Sequence, residues 1–124
     1  MGMKSPQKNR PVYILVAPGF EEDTVVNFLV RLREVGIGTA LVGLTGNDVV
    51  GAHGVAMQVD LRIDEALRLP PQILILPQTE SQTPIYQIDP RVSLLKELSG
   101  KVMTADNVST FLNESGNPRL IIQE

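Results

Sequence analysis

Three short stretches of this chain carry residue types that can do chemistry. In PGFEED, the carboxylates Glu21, Glu22 and Asp23 follow directly on an apolar run. Carboxylates grouped at a strand end can hold a divalent cation or serve as a general acid. In GKVMTADNVSTFL, Asp106 and Asn107 sit where an apolar run turns abruptly into a helical pattern. Many α/β enzymes place a nucleophile at such an elbow, and a carboxylate can be one. The third stretch is ILILPQTE, with Gln78 and Thr79 just past the end of an apolar run.

Each stretch also has a plainer reading. The acids suit the positive end of the helix that follows them. Asp106 suits the N-cap of its own helix, with Ser109 and Thr110 packed inside it. A receiver-type Mg²⁺ site would need an Asp after the third strand, where Pro77-Gln78-Thr79 stands instead. A phosphate cradle is disfavoured because PGFEED has one Gly and three negative charges. The single histidine, His53, falls in an irregular β segment and is expected to be exposed, with a structural or solvent role. Pro84 and Tyr86, in the stretch QTESQTPIYQI, are expected to pack locally.

Composition narrows the classes. The chain has 124 residues, which fits one domain. Aromatics are 4% and Trp is absent, so Val, Leu and Ile must build the core. With no Cys there is no disulfide, thiolate metal site or thiol nucleophile. One His excludes a His-rich metal site. A net charge of −3 argues against nucleic acid and anionic membrane as partners. No apolar run reaches the roughly 18–20 residues of a membrane span. Residues 1–11 lack a secretory signal's apolar region and are expected to be a disordered leader, which points to the cytoplasm.

The elements that must position these residues follow from periodicity. Val12 to Ala17 is a continuous apolar run of the kind buried on both faces of a parallel sheet, Ile73 to Leu76 predicts another buried strand, and Thr39 to Leu44 and Val102 to Ala105 predict two more strands. Val25, Phe28, Leu29 and Leu32 form one face of a helix that Gly36 can stop. Val49 to Ile63 predicts a hairpin or irregular β excursion. Asp64 is expected to cap a short helix, EALRL. QTESQTPIYQI lacks helical spacing and predicts a loop. Asp89-Pro90 opens a helix with Val92, Leu95 and Leu98 on its apolar stripe. Leu120 to Ile122 predicts a last strand. The alternation predicts an α/β domain over residues 12–124, with ligands bound beyond the carboxyl ends of the strands.

Taken together, VYILVAPGFEEDT, VVNFLVRLREVGIGTALVGLTG, VAMQVDLRIDEAL, ILILP, DPRVSLLKELSGK and VMTADNVSTFL resemble the ThiJ/PfpI family, of the class I glutamine-amidotransferase-like superfamily. The resemblance runs from about Val12 to Leu112. It implies a three-layer, flavodoxin-like fold: a mostly parallel sheet of about five strands, helices on both faces and a small β excursion. It also implies three catalytic features, and this chain departs from each. The family's glutamate position is Thr24, with only Glu21 and Glu22 matching the acidic pair before it. The Gly-Gly that helps form the oxyanion hole is Gln78-Thr79, and the elbow cysteine is Asp106. The chain is thus similar to a degenerate, shortened member. The expectation is a non-catalytic module, without cofactor or metal, that binds a protein or small ligand and forms a homodimer. Two alternatives stand beside it. One is an atypical hydrolase or glyoxalase/deglycase-like enzyme using Asp106 with Glu21 or Glu22. The other is a metabolite sensor with Thr24, Gln78, Thr79 and Asn107 lining its pocket.

Overall fold

The computed structural model describes residues 10–78 and 83–115. Thr79, most of the expected leader and the strand expected over 120–122 lie outside the described residues. Among the described residues the core is a parallel sheet of five strands: β1 (Val12–Val16), β2 (Thr39–Gly43), β5 (Leu61–Arg62), β6 (Ile73–Leu76) and β7 (Lys101–Thr104). Their order across the sheet is β5-β2-β1-β6-β7. Two further strands, β3 (Asp48–Val50) and β4 (Ala56–Gln58), pair antiparallel as a separate hairpin. That hairpin is the expected β excursion.

Period two explains why β1 is apolar throughout. Val12, Ile14 and Val16 enter the core on one face, while Tyr13 and Leu15 enter it on the other. The first face is covered by α1 (Glu22–Glu34) and α5 (Ala105–Ser115), through Val25, Phe28, Leu32 and Val108. The second is covered by α2 (Ile63–Arg68), α3 (Ile85–Ile88) and α4 (Pro90–Leu98), through Ile63, Ala66, Tyr86, Val92 and Leu95. Gly36 ends α1 at φ +85°, a conformation that a side chain would strain. Among the described residues no helix is long and apolar enough to cross a membrane.

Several local expectations change. QTESQTPIYQI is not all loop, because Ile85–Ile88 is a helical turn that buries Tyr86. The Tyr86 hydroxyl donates to the Leu15 carbonyl at 2.9 Å, and burial pushes its pKa up. Asp64 does not cap α2. The cap position is Arg62, whose N–H donates to Glu65 Oε1 at 2.9 Å, and Asp64 lies within the first turn. Leu98 is exposed rather than on the buried stripe of α4. Asp89 caps α4 as expected, accepting from the Arg91 N–H at 2.9 Å.

Candidate functional site

The carboxyl ends of β1, β6 and β7 bring the three candidate stretches to one end of the sheet. The first is the most ordered by specific bonds. Glu22 opens α1 and is only 6% exposed, although it follows the exposed Glu21. A buried carboxylate needs partners, and the β3–β4 turn supplies them. Glu22 Oε2 accepts from the backbone N–H groups of His53 (2.7 Å) and Val55 (3.2 Å). Its Oε1 lies 2.8 Å from His53 Nδ1. Gly51 makes room for this, since a Cβ there would stand 2.4 Å from Glu22 Cδ. The loop and hairpin are laced together further by Gly19 N–H to the Val50 carbonyl and Ala52 N–H to the Phe20 carbonyl, both 2.8 Å.

The electrostatics follow from these bonds. Burial opposes ionisation of Glu22. The hydrogen bonds from the His53 ring and from backbone N–H groups outweigh it and bring the pKa down to about 2. The hydrogen bond to Glu22 raises the pKa of His53, and the nearby charges of Glu21 and Asp23 act in the same direction. An ionised Glu22 accepts, so Nδ1 carries a proton in either charge state, and in the neutral ring Nε2 is left as the acceptor. The His53 side chain is 72% exposed. His53 is therefore exposed, as expected, yet it is oriented by a buried acid. Glu22 is more than a counter-charge for the helix end.

The other candidates are placed differently. Glu21 holds the N-cap position of α1 without a side-chain cap bond, and Thr24 is half-buried in the first turn. Gln78 Nε2 donates to the Gly19 carbonyl at 3.1 Å, joining the third stretch to the first, while its Oε1 is buried with no partner among the described residues. At the elbow, Asp106 is not the cap. Thr104 caps α5: its Oγ1 accepts from the Asn107 N–H, and Asn107 Oδ1 accepts from the Thr104 N–H, each at 3.4 Å. The Thr104 hydroxyl also donates to Asn107 Oδ1 at 3.0 Å. The helix starts one residue before Asp106, so its carboxylate lies outside the capping geometry and stands exposed in the first turn. Among the described residues no group of three or more metal-ligating side chains assembles.

One cavity lies apart from all of these. It opens beyond the carboxyl end of β2, with a volume of about 380 Å³, between the starts of α2 and α4. Leu44, Thr45, Arg62, Asp64, Asp89 and Arg91 line it; the sequence marked Asp64 and Asp89 only as helix caps, and none of the candidate site residues of the three stretches lines it. Arg91 organises its polar wall. Its Nε and Nη2 bind both oxygens of Asp89 at 3.1 and 2.8 Å, Nη2 also donates to the Leu44 carbonyl at 3.2 Å, and Nη1 donates to Asp64 Oδ1 at 3.2 Å. The hydrogen bond to Arg91 holds the Asp89 carboxyl below its ordinary range. No sequence spacing pointed here, because Leu44, Asp64 and Arg91 meet only through the sheet order.

No family model matches the sequence, and no curated protein matches it. Solved structures do. A DJ-1 superfamily protein from Salmonella typhimurium is 24% identical, with a TM-score of 0.67 over 76% of this chain and 53% of that one. Drosophila melanogaster DJ-1beta is 22% identical, with a TM-score of 0.67 over 87% and 61%. A ThiJ/PfpI family protein from Pseudomonas syringae is 16% identical, with a TM-score of 0.64 over 84% and 48%. The chain thus spans roughly half to three-fifths of the length of these structures. The fold is ThiJ/PfpI-like.

Proposed function

We propose that this chain is a non-catalytic ThiJ/PfpI-like module that acts by binding a protein or small ligand and by self-association. Its role is regulatory or scaffolding, and a cytoplasmic homodimer is its expected form. One observation carries the reading: the buried carboxylate of the first loop is already committed. Glu22 accepts from two backbone N–H groups and the His53 ring, all in the hairpin turn. A carboxylate held near pKa 2 by such bonds is a poor proton acceptor at neutral pH. Asp106, exposed in the first turn of α5, gains no general base from it. Self-association is supported by Val26 and Val30, exposed one turn apart on α1, and by Val50 and Val55 on the hairpin that Glu22 ties to that helix. Glyoxalase, deglycase and esterase assays test the proposal. No turnover above background is expected, and clear turnover abolished by Asp106→Asn overturns it.

The Glu22–His53 pair favours a second reading. A carboxylate-oriented imidazole with a free Nε2 is a general base in the geometry that hydrolysis uses. That reading expects turnover in the same assays that is lost in His53→Ala and retained in Asp106→Asn.

A further inference from the structure

We propose that the cavity beyond β2 is a binding site for a small neutral ligand carrying a vicinal diol, either a free sugar or the ribose of a nucleoside. Arg62, Arg91, Asp64 and Asp89 all belong to the lining, so its formal charges balance, and Arg91 binds both acids directly. An anion would have to take Arg91 from Asp89, which already grips its Nε and Nη2 with both oxygens. A cation would have to take both carboxylates from the Arg91 guanidinium that binds them. Either exchange strands a partly buried charge, which is costly.

A neutral polar ligand needs no exchange. Arg91 engages only Oδ1 of Asp64, at 3.2 Å, and does so through Nη1. A carboxylate can accept at both oxygens, and a guanidinium nitrogen of this type carries two protons. The wall therefore presents an acceptor beside a donor. Adjacent hydroxyls complement that pair, one donating to Asp64 and its neighbour accepting from Arg91. The Arg62 guanidinium and Thr45 hydroxyl add further polar groups. Half-buried Ile85, backed by the buried Leu44 and Ile63, supplies the apolar surface on which the C–H face of a sugar ring can rest. A volume of about 380 Å³ suits a ligand of this size. The position also obeys the general rule for open α/β sheets, beyond the carboxyl ends of the strands. The inference extends the binding function proposed above but does not need the elbow to be inert.

The test is an amide chemical-shift titration of the full chain with D-ribose, adenosine, 2′-deoxyadenosine and inorganic phosphate. Saturable shifts at Gly43–Gly46 and Ile63–Asp64 are expected with D-ribose or adenosine, at a Kd on the order of 1 mM or tighter. Response to both sugars indicates a free-sugar site, and response to adenosine alone indicates a nucleoside site. Loss of the diol in 2′-deoxyadenosine should weaken binding about tenfold or more. Ile85→Trp, which fills the cavity from its half-buried wall, should abolish binding while leaving the folded spectrum intact. Asp64→Asn serves as the second variant and should also weaken binding. Absence of shifts with both diols up to ~10 mM overturns the proposal. So does equal binding of 2′-deoxyadenosine, or phosphate binding at the same amides. Binding is read here without reference to turnover, so its failure leaves the activity assays to judge the module reading separately.

Discussion

At the scale of single residues, Glu22 and His53 carry the most information. Each shift reports the same interaction from one side. The Glu22 pKa falls from 4.5 to about 2, so its stabilisation is present above 4.5 and is lost as pH falls toward 2. The His53 pKa rises from 6.5, so its stabilisation is full below 6.5 and is lost as pH climbs through the raised value. The ionic link is therefore complete between 4.5 and 6.5. Glu22→Gln should lower the urea midpoint most in that window, and the gap to the unchanged protein should narrow on either side. A gap that stays constant from about pH 5 to pH 8 would rule out the ionic link. Glu22 was visible in the sequence as one of three acids. Nothing local distinguished it from Glu21 or Asp23, because its burial depends on a turn 31 residues away.

At the scale of elements, the hairpin is docked onto the start of α1 by close approach as much as by hydrogen bonds. Gly51→Ala would put a Cβ 2.5 Å from Glu22 Oε2, against a side chain fixed by its own partners. The expected loss is about 1–3 kcal/mol by chemical denaturation, with raised hydrogen exchange at the His53 and Val55 amides. The elbow was legible as an elbow, since an apolar run turns into a helical pattern within a residue or two. Its cap is Thr104 and not the expected Asp106. Asp is among the best cap residues, but the helix begins at Ala105, so the adjacent Thr104 takes the position. Thr104→Ala should cost about 0.5–1 kcal/mol, the low part of the cap range because its bonds are long and exposed. Asp106→Asn should cost less, and comparing the two urea midpoints checks the assignment.

At the scale of the whole molecule, one sheet separates two cores. Phe28 and Leu32 belong to the first, Tyr86 and Leu95 to the second. Leu95→Ala removes a fully buried side chain and should cost about 2–5 kcal/mol, read from a two-state denaturation curve. Self-association belongs to this scale too. Replacing both exposed valines of α1, as Val26→Glu with Val30→Lys, is expected to shift a dimer to monomer in sedimentation while leaving the thermal midpoint of the monomer nearly unchanged. Retention of the dimer would move the interface elsewhere.

The sequence by itself determined the layers. The apolar runs Val12 to Ala17 and Ile73 to Leu76 mark the central strands, while Val102 to Ala105 marks β7, at the edge of the described sheet, and the 3.6-residue stripe of α1 marks a helix with one buried face. These are local periodicities, so they survive without knowledge of neighbours. Tertiary structure alone decided which polar residues meet. It placed His53 against Glu22, seated Tyr86 under β1 and gathered Asp64, Asp89 and Arg91 around a cavity. Those meetings join residues far apart in the chain through sheet order and hairpin docking. Periodicity carries no information about such pairings, because hydrogen bonding depends on distance in space and not on spacing along the chain.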